Sequence, residues 1–411
     1  MSKWPKYRIK DVCSVTSSTR IRSSEYQDDG IPFYRGKEII EKQRGALKVS
    51  TDIYIPRDRF EEVKRKGGVP KGGELLLTSV GTLGVPYVVR EGEEFYFKDG
   101  NLTWFRELQG LQGKYLYYWL LSPLGKAELK KCVIGSSQPA YTIVLLKEME
   151  IDCPPLQIQH QITEILSAYD DLIENNMRRI EILEEMARRL YEEWFVQFRY
   201  PGNEGVVFED DVPQGWSRVR LDSVAEVNPE AISPKNAPDE IMYVDISSVS
   251  TRQVNKLQRL EFSEAPGRAR RKVISGDVVW SCVRPALRSY ALIIDPPPNT
   301  IVSTGFAVVR ADSVPFSYLY QVLGSDQFVS YLDNHATGAA YPAVKASDFE
   351  VAEVVLPCKN LLAQFDGAVL PMLKMIHVLR LKNNNLQSQR DLLLPKLISG
   401  EIDVSDIPMP T

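Results

Sequence analysis

Arginine and lysine in short runs, with hydroxyl or amide groups beside them, dominate the segments of this sequence that could meet a ligand. Near the start, Arg20 and Arg22 follow Ser17-Ser18-Thr19, and Arg57, Arg59, Lys64, Arg65 and Lys66 come soon after. A later turn, Gly135-Ser136-Ser137-Gln138, adds small donors and a glutamine able to pair bidentately with adenine. In the second half the densest basic run is Arg268, Arg270, Arg271 and Lys272, and Arg284 and Arg288 follow a short apolar strand. The turn that answers to Ser136-Ser137-Gln138 reads Ala339-Ala340-Tyr341 there, and its tyrosine can stack or pack. Such groups bind phosphates and read base edges, and loops are the natural places for them to reach a groove. None of them makes or breaks a covalent bond.

Bond-making chemistry is poorly supplied. The chain has three histidines, His160, His335 and His377, and five widely separated cysteines, so neither a zinc site nor a disulfide framework is expected. Buried structural thiols and ordinary polar histidines account for them. There is no P-loop, no Asn-Pro-Pro-Tyr-like methyltransferase motif and no convincing nuclease carboxylate cluster. Metal, cofactor and catalytic residues are therefore expected to be absent from this chain.

A net charge of −4 looks wrong for a nucleic-acid binder. The average hides a pattern, because residues 1–154 carry 25 basic against 20 acidic side chains, and residues 252–288 carry nine basic against Glu261, Glu264 and Asp277. The basic charge is local. No apolar run approaches a membrane span, and MSKWPKYRIK has no apolar stretch behind its charges, so a cytoplasmic, non-membrane protein is expected.

At 411 residues the chain calls for more than one core, and it carries an internal duplication. At a shift of 203 residues, Tyr115-Leu116-Tyr117, Leu120 and Ser122 fall on Tyr318-Leu319-Tyr320, Leu323 and Ser325. Gly135, Pro139, Ala140, Pro154, Gln161 and Leu190 fall on Gly338, Pro342, Ala343, Pro357, Gln364 and Leu393. The turn and apolar strand Lys71–Ser79 match Ile274–Cys282. The start matches at a shift of 212, with Trp4, Arg8, Ile9 and Val12 on Trp216, Arg220, Leu221 and Val224, so the copies differ in loop length. Short β-like runs such as Ile31–Tyr34, Phe95–Phe97 and Ile241–Val244 alternate with glycine turns, and a helix is expected at about Lys114–Lys131. Each copy reads as α/β or α+β.

Between and after the copies lie long amphipathic helices. Residues 158–198 run for 41 positions without glycine or proline, about 60 Å of helix. Ile162, Tyr169, Asn176, Leu183 and Leu190 recur every seven residues, and Leu166, Ile173, Ile180, Ala187 and Trp194 form a second such series, which is a coiled-coil seam. The duplicate repeats it with Phe365, Met372, Leu379, Leu386 and Leu393, and with Val369, Ile376, Asn383, Arg390 and Leu397. Pro371 is expected to kink or delay this second helix. Asn176 and Asn383 either fix the register of the seam or are tolerated at a partly wet position. If the copies are related by a pseudo-two-fold axis, the helices pair antiparallel and the copies are inverted, which suits inverted half-sites on a duplex.

These features together resemble the specificity subunits of type I restriction-modification systems. The resemblance covers almost the whole chain. It rests on Pro154-Pro155-Leu156-Gln157-Ile158-Gln159-His160-Gln161-Ile162, on Asp170-Asp171-Leu172-Ile173-Glu174-Asn175-Asn176, on Leu183–Tyr191 with Trp194–Phe198, and on the closing Arg390–Ile402. The second helix departs from it, opening Pro357-Cys358-Lys359 in place of a full Pro-Pro-Leu start. The resemblance implies target-recognition domains at 1–154 and, with a linker, 200–357, and spacer helices at 155–199 and 358–411. It also implies that the partners are double-stranded DNA, two modification subunits that methylate adenine with S-adenosylmethionine, and restriction subunits that use ATP and Mg. Two other readings stay open: a non-DNA scaffold with duplicated protein-binding domains, and the recognition subunit of a related bifunctional restriction system.

Overall fold

The structure, a computed structural model, describes residues 4–43, 49, 51–209, 211–338 and 340–405. It is a mixed α/β chain of two β-rich domains joined by two long helices. The chain divides into two compact units, Met1–Met177 with Leu381–Thr411, and Arg178–Arg380.

In the first unit a four-stranded antiparallel sheet has the order Ser14–Thr16, Leu102–Arg106, Leu75–Thr78, Pro86–Val88. A three-stranded sheet sets Ile31–Tyr34 antiparallel to Tyr54–Ile55 and parallel to Tyr96–Phe97. Leu75–Thr78 is an unbroken apolar run because both of its faces are covered. Leu75 and Leu77 join Phe105, Tyr115 and Trp119, whereas Leu76 joins Tyr34, Phe97 and Trp104.

The second unit repeats this plan. Its four-stranded sheet runs Ala225–Val227, Phe306–Ala311, Val278–Ser281, Tyr290–Leu292. Val278 and Trp280 face one core cluster and Val279 the other. Both shifts read in the sequence appear in the strand registers. Lys6 opposes Asp152 in one unit and Arg218 opposes Val355 in the other, a shift of 212 on one strand and 203 on its partner. The buried Tyr115 and Tyr318 hydroxyls donate to the carbonyls of Asp152 and Val355, 2.8 and 2.5 Å away.

The single helix expected at Lys114–Lys131 is two, Gly113–Leu121 and Pro123–Lys131. Ser122 stops the first and caps the second, its hydroxyl accepting from Gly125 N at 3.2 Å, and Pro123 opens the new helix where no backbone donor is needed. Ser325 does the same between Phe316–Gly324 and Asp326–His335.

The first long helix is regular over Leu156–Tyr191 and continues as a π-helical turn, Glu192–Val196. That turn drives Phe195 among Trp216, Tyr318 and Phe365. The second long helix runs Lys359–Ser399 without interruption, so Pro371 neither delays nor breaks it. Pro371 removes one backbone donor, and the carbonyl it frees belongs to Gly367; both residues lie on the exposed face, where water can satisfy that carbonyl. An 18-residue window of this helix has a mean hydropathy of 1.2, enough by length and composition to cross a membrane, contrary to the expectation from the sequence. Its apolar side chains are used otherwise, with Leu361, Leu362, Phe365, Val369, Leu373 and Ile376 in the core of the second unit.

Within each unit the helices pack antiparallel. In the first, Asp170 meets Arg390, and Asn176 Nδ2 donates to Asn383 Oδ1 at 2.8 Å. In the second, Glu184 meets Arg380 and Trp194 meets Phe365. The seam residues Ile162, Leu166, Ile173, Leu379 and Asn383 are buried, and Tyr169, Asn176, Ile180, Leu183, Leu190, Leu386 and Leu393 are half-buried.

Candidate nucleic-acid interface

In the second unit a ladder of backbone hydrogen bonds assembles one polar end. Thr304 N donates to Arg268 O at 2.8 Å, Cys282 N to Gly305 O at 2.9 Å, Val344 N to Cys282 O at 2.9 Å and Arg284 N to Pro342 O at 2.7 Å. Arg268, Arg284 and Tyr341, far apart in sequence, come to the same edge. The Arg284 guanidinium lies 4.7 Å from the Tyr341 ring centroid, and that ring is 69% exposed. Arg284 and Arg288 both occupy the left-handed backbone region, φ 51° and 52°, on either side of the helical turn Pro285–Leu287. Non-glycine residues hold that conformation at a cost of roughly 1–2 kcal/mol. Such strain concentrates at functional sites. Arg288 is paired with Asp326.

The first unit repeats the two central rungs of the ladder. Ser79 N donates to Asn101 O at 2.8 Å, Tyr141 N to Ser79 O at 3.0 Å, and Val80 bridges Ala140 just as Val283 bridges Ala343. Gly81 stands where the second unit has Arg284, with φ +78°. The exposed Ser136, Ser137 and Gln138 form the turn between Val133–Ile134 and Ala140–Tyr141 beside this edge, whereas Ala339 of the second unit lies outside the described residues. A groove of about 750 Å³ opens next to it, lined by Arg35, Lys37, Glu41, Asp52, Thr82 and Asn101. Arg35 donates to Glu38 at 2.7 Å and to Asp52 at 2.6 Å. The basic clusters read from the sequence do not include these groove residues. The signal that could have found Thr82 and Asn101 is the duplication, which sets Thr82 at Pro285, next to Arg284, and Asn101 at Gly305, whose carbonyls accept from the equivalent Ser79 N and Cys282 N.

The expectation that the basic residues sit on loops fails at two places. Arg57–Lys66 is a helix, because Phe60 and Val63, three residues apart, bury against Ile21, Phe33, Ile55 and Tyr96. Ion pairs join Arg57 to Glu94, Arg59 to Glu25 and Glu62, Lys64 to Glu61, and Lys66 to Glu62, while Arg65 donates to the Glu61 carbonyl. The Arg59–Glu25 pair brings this helix against the loop of Arg20 and Arg22, both exposed and without an ion pair among the described residues.

The second place is the run Arg268–Lys272, whose last four residues form a strand, Ala269–Lys272, at the edge of the sheet ordered Gln258–Glu261, Glu240–Val244, Thr300–Ser303, Ala269–Lys272. The pairing register of that strand shifts between Ala269 and Arg271, and its side chains part there. Arg271 turns inward to Asn228 Oδ1 and the Phe306 carbonyl, and burial lowers its pKa. Arg270 lies over the Phe262 ring, and Lys272 is 3.7 Å from Glu230. Arg268 stays exposed and pairs with Asp245 at 2.8 Å. Burial opposes ionisation of Asp245, but hydrogen bonds from Ser247 and Tyr243 and the charge of Arg268 outweigh it and hold the carboxyl below its usual range.

Residues 1–185 match the type I restriction modification DNA specificity domain. The MjaIX type I restriction enzyme specificity subunit of Methanocaldococcus jannaschii is 27% identical, with 98% of this chain and 94% of that protein covered. Over nearly its whole length the chain is thus similar to type I restriction-modification specificity subunits. A putative specificity subunit of Haemophilus influenzae, S.HindORF215P, is 32% identical over 45% of each chain. The crystal structure of the S subunit from M. genitalium shares the fold, with a TM-score of 0.60 at 14% identity over 96% of each chain. A specificity subunit determines DNA recognition and is the non-catalytic part of its complex; S-adenosylmethionine and ATP are carried by other subunits.

Proposed function

We propose that this specificity subunit reads a bipartite double-stranded DNA site, one half through residues 1–154 and the other through 200–357, with 155–199 and 358–411 as the spacer. Membership of a type I complex implies DNA, modification and restriction subunits as partners. In this reading two modification subunits methylate adenine at the site the subunit selects, restriction subunits cut DNA, and the assembly works in the cytoplasm. The observation that carries the reading is the repeated ladder, which in both units brings polar or basic side chains to the same edge.

Arg268, Arg284, Arg288 and Tyr341 are assigned to the second half-site. Ser136, Ser137 and Gln138 are assigned to the first, with Arg20, Arg22, Lys64, Arg65 and Lys66 flanking it on phosphates. The deciding experiment exchanges residues 1–154 for another recognition domain and maps methylated adenines in cells. One half of the motif should change and the other persist; an unchanged motif defeats the proposal. A finer measurement follows from Arg284. The double substitution Arg284→Ala with Tyr341→Ala should weaken DNA binding of the assembled complex about tenfold and reduce the salt slope by about one. Fluorescence anisotropy across a salt series reads both.

A further inference from the structure

The helix seam is mostly apolar, and apolar packing is non-directional. By itself it sets neither the rotation nor the slide of a domain on its helices closely. Charged groups interrupt the seam at places where a recognition domain touches both helices. In the second unit, Arg380 of the second helix donates to Glu184 Oε1 of the first at 2.6 Å and to the carbonyl of Arg252 at 2.9 Å. Arg252 belongs to the recognition domain. It sits at the tip of the hairpin Val249–Ser250 with Gln253–Val254, in the left-handed region at φ 66°. Its guanidinium returns to within 3.9 Å of Glu184 and donates to the Tyr290 hydroxyl at 3.1 Å. Three elements therefore converge on one carboxylate, beside a cavity of about 30 Å³ lined by Tyr320, Gln321 and His377. Burial pushes the Glu184 carboxyl up, against the pull of Arg380 and Arg252.

The first unit has the same composition at a different place. Asp170 of the first helix pairs with Arg390 of the second and accepts from the recognition-domain hydroxyl of Tyr118 at 2.6 Å. These two clamps are not copies of one another. At a shift of 203, Glu184 falls on Gln387, Asp170 on Leu373, and Arg380 on Met177. The duplicated cores follow one plan, yet each domain is fastened to the helices by its own acid, arginine and polar partner.

We propose that the Glu184–Arg380–Arg252 and Asp170–Arg390–Tyr118 clamps set the spacing and phase at which the two half-sites are accepted. This rests on the bipartite reading above. Successive base pairs differ by about 3.4 Å of rise and roughly a tenth of a turn. Rejecting a site one base pair too long therefore needs each domain held to about an ångström, which directional charge-assisted hydrogen bonds provide. The six side chains are positioning residues; none is assigned to DNA contact.

The test uses the assembled methylating complex and duplexes whose half-sites stand at the native spacing, one base pair longer and one shorter. The parent complex should lose about 100-fold in methylation rate at either altered spacing, comparable with the cost of mismatched base pairs. Arg380→Met, which keeps the packing length, should cut that discrimination to about tenfold and leave the native spacing within about threefold. Arg252→Gly keeps the left-handed backbone and its carbonyl, removes only the domain's own side chain from the clamp, and should relax discrimination in the same sense. Arg252→Gly decides if Arg380→Met does not assemble. A parent complex indifferent to spacing defeats the bipartite reading itself. Full discrimination retained in the variants, or an equal loss at all spacings, overturns the clamps alone.

Discussion

Phe195→Ala is expected to lower the thermal transition of the second unit by about 10 °C. Phe195 is 3% exposed and sits on the π-helical turn that ends the first long helix. Its ring lies 4.9 Å from Tyr318, 5.0 Å from Phe365 and 5.8 Å from Trp216, centroid to centroid. Those neighbours come from the recognition domain, the second helix and the start of the second copy, so they cannot close together over the gap left by one ring. Truncating a buried phenylalanine costs about 3–5 kcal/mol where the site does not collapse. Calorimetry of the purified subunit should show the shift, with Phe195→Leu losing less than half as much. A change of under 2 °C in the alanine variant would mean that the aromatic cluster repacks freely.

The long helices were legible because their signal is periodic: a seven-residue repeat survives whatever packs outside it. The duplication was legible for a similar reason. Tyr115 and Tyr318, Ser122 and Ser325, and Gly135 and Gly338 each do one local job twice, as hydroxyl donor, helix cap and left-handed turn. What escaped the sequence depends on contacts made far along the chain. The helical state of Arg57–Lys66 comes from two buried side chains, Phe60 and Val63, within a run that reads as charged surface. Arg271 points inward only because the Phe306 carbonyl of the other four-stranded sheet, and Asn228 just past the strand Ala225–Val227, wait for it there. Arg35 and Lys37 carry no local mark of the groove they line, since Asp52, Thr82 and Asn101 arrive from three other segments. Pro371 misled because its cost depends on which face of the helix it occupies, and on Gly367 one turn earlier being exposed.

The second large effect concerns a carboxylate that the duplication preserves while changing its partner. Glu74 and Asp277 occupy equivalent turns, each accepting a backbone N–H, from Lys71 at 3.0 Å and from Ile274 at 2.8 Å. In the first unit the other partner is the neutral indole of Trp104, 2.9 Å away. In the second it is Arg310, whose Nε and Nη2 reach the two oxygens of Asp277 at 2.8 and 2.9 Å while its Nη1 reaches Glu230 at 2.7 Å. The same mutation should therefore differ between the units. Glu74→Ala strands a backbone donor and an indole N–H, costing about 1–3 kcal/mol. Asp277→Ala leaves a largely buried guanidinium with one half-exposed partner, and breaking such a pair from one side costs about 3–5 kcal/mol. Asp277→Leu with Arg310→Met should recover much of that loss, because the penalty lies in the orphaned charge and not in the absent bond. Denaturant unfolding of the three variants decides the matter: if Asp277→Ala proves no worse than Glu74→Ala, Glu230 and water suffice for Arg310, and the bidentate pair adds only geometry.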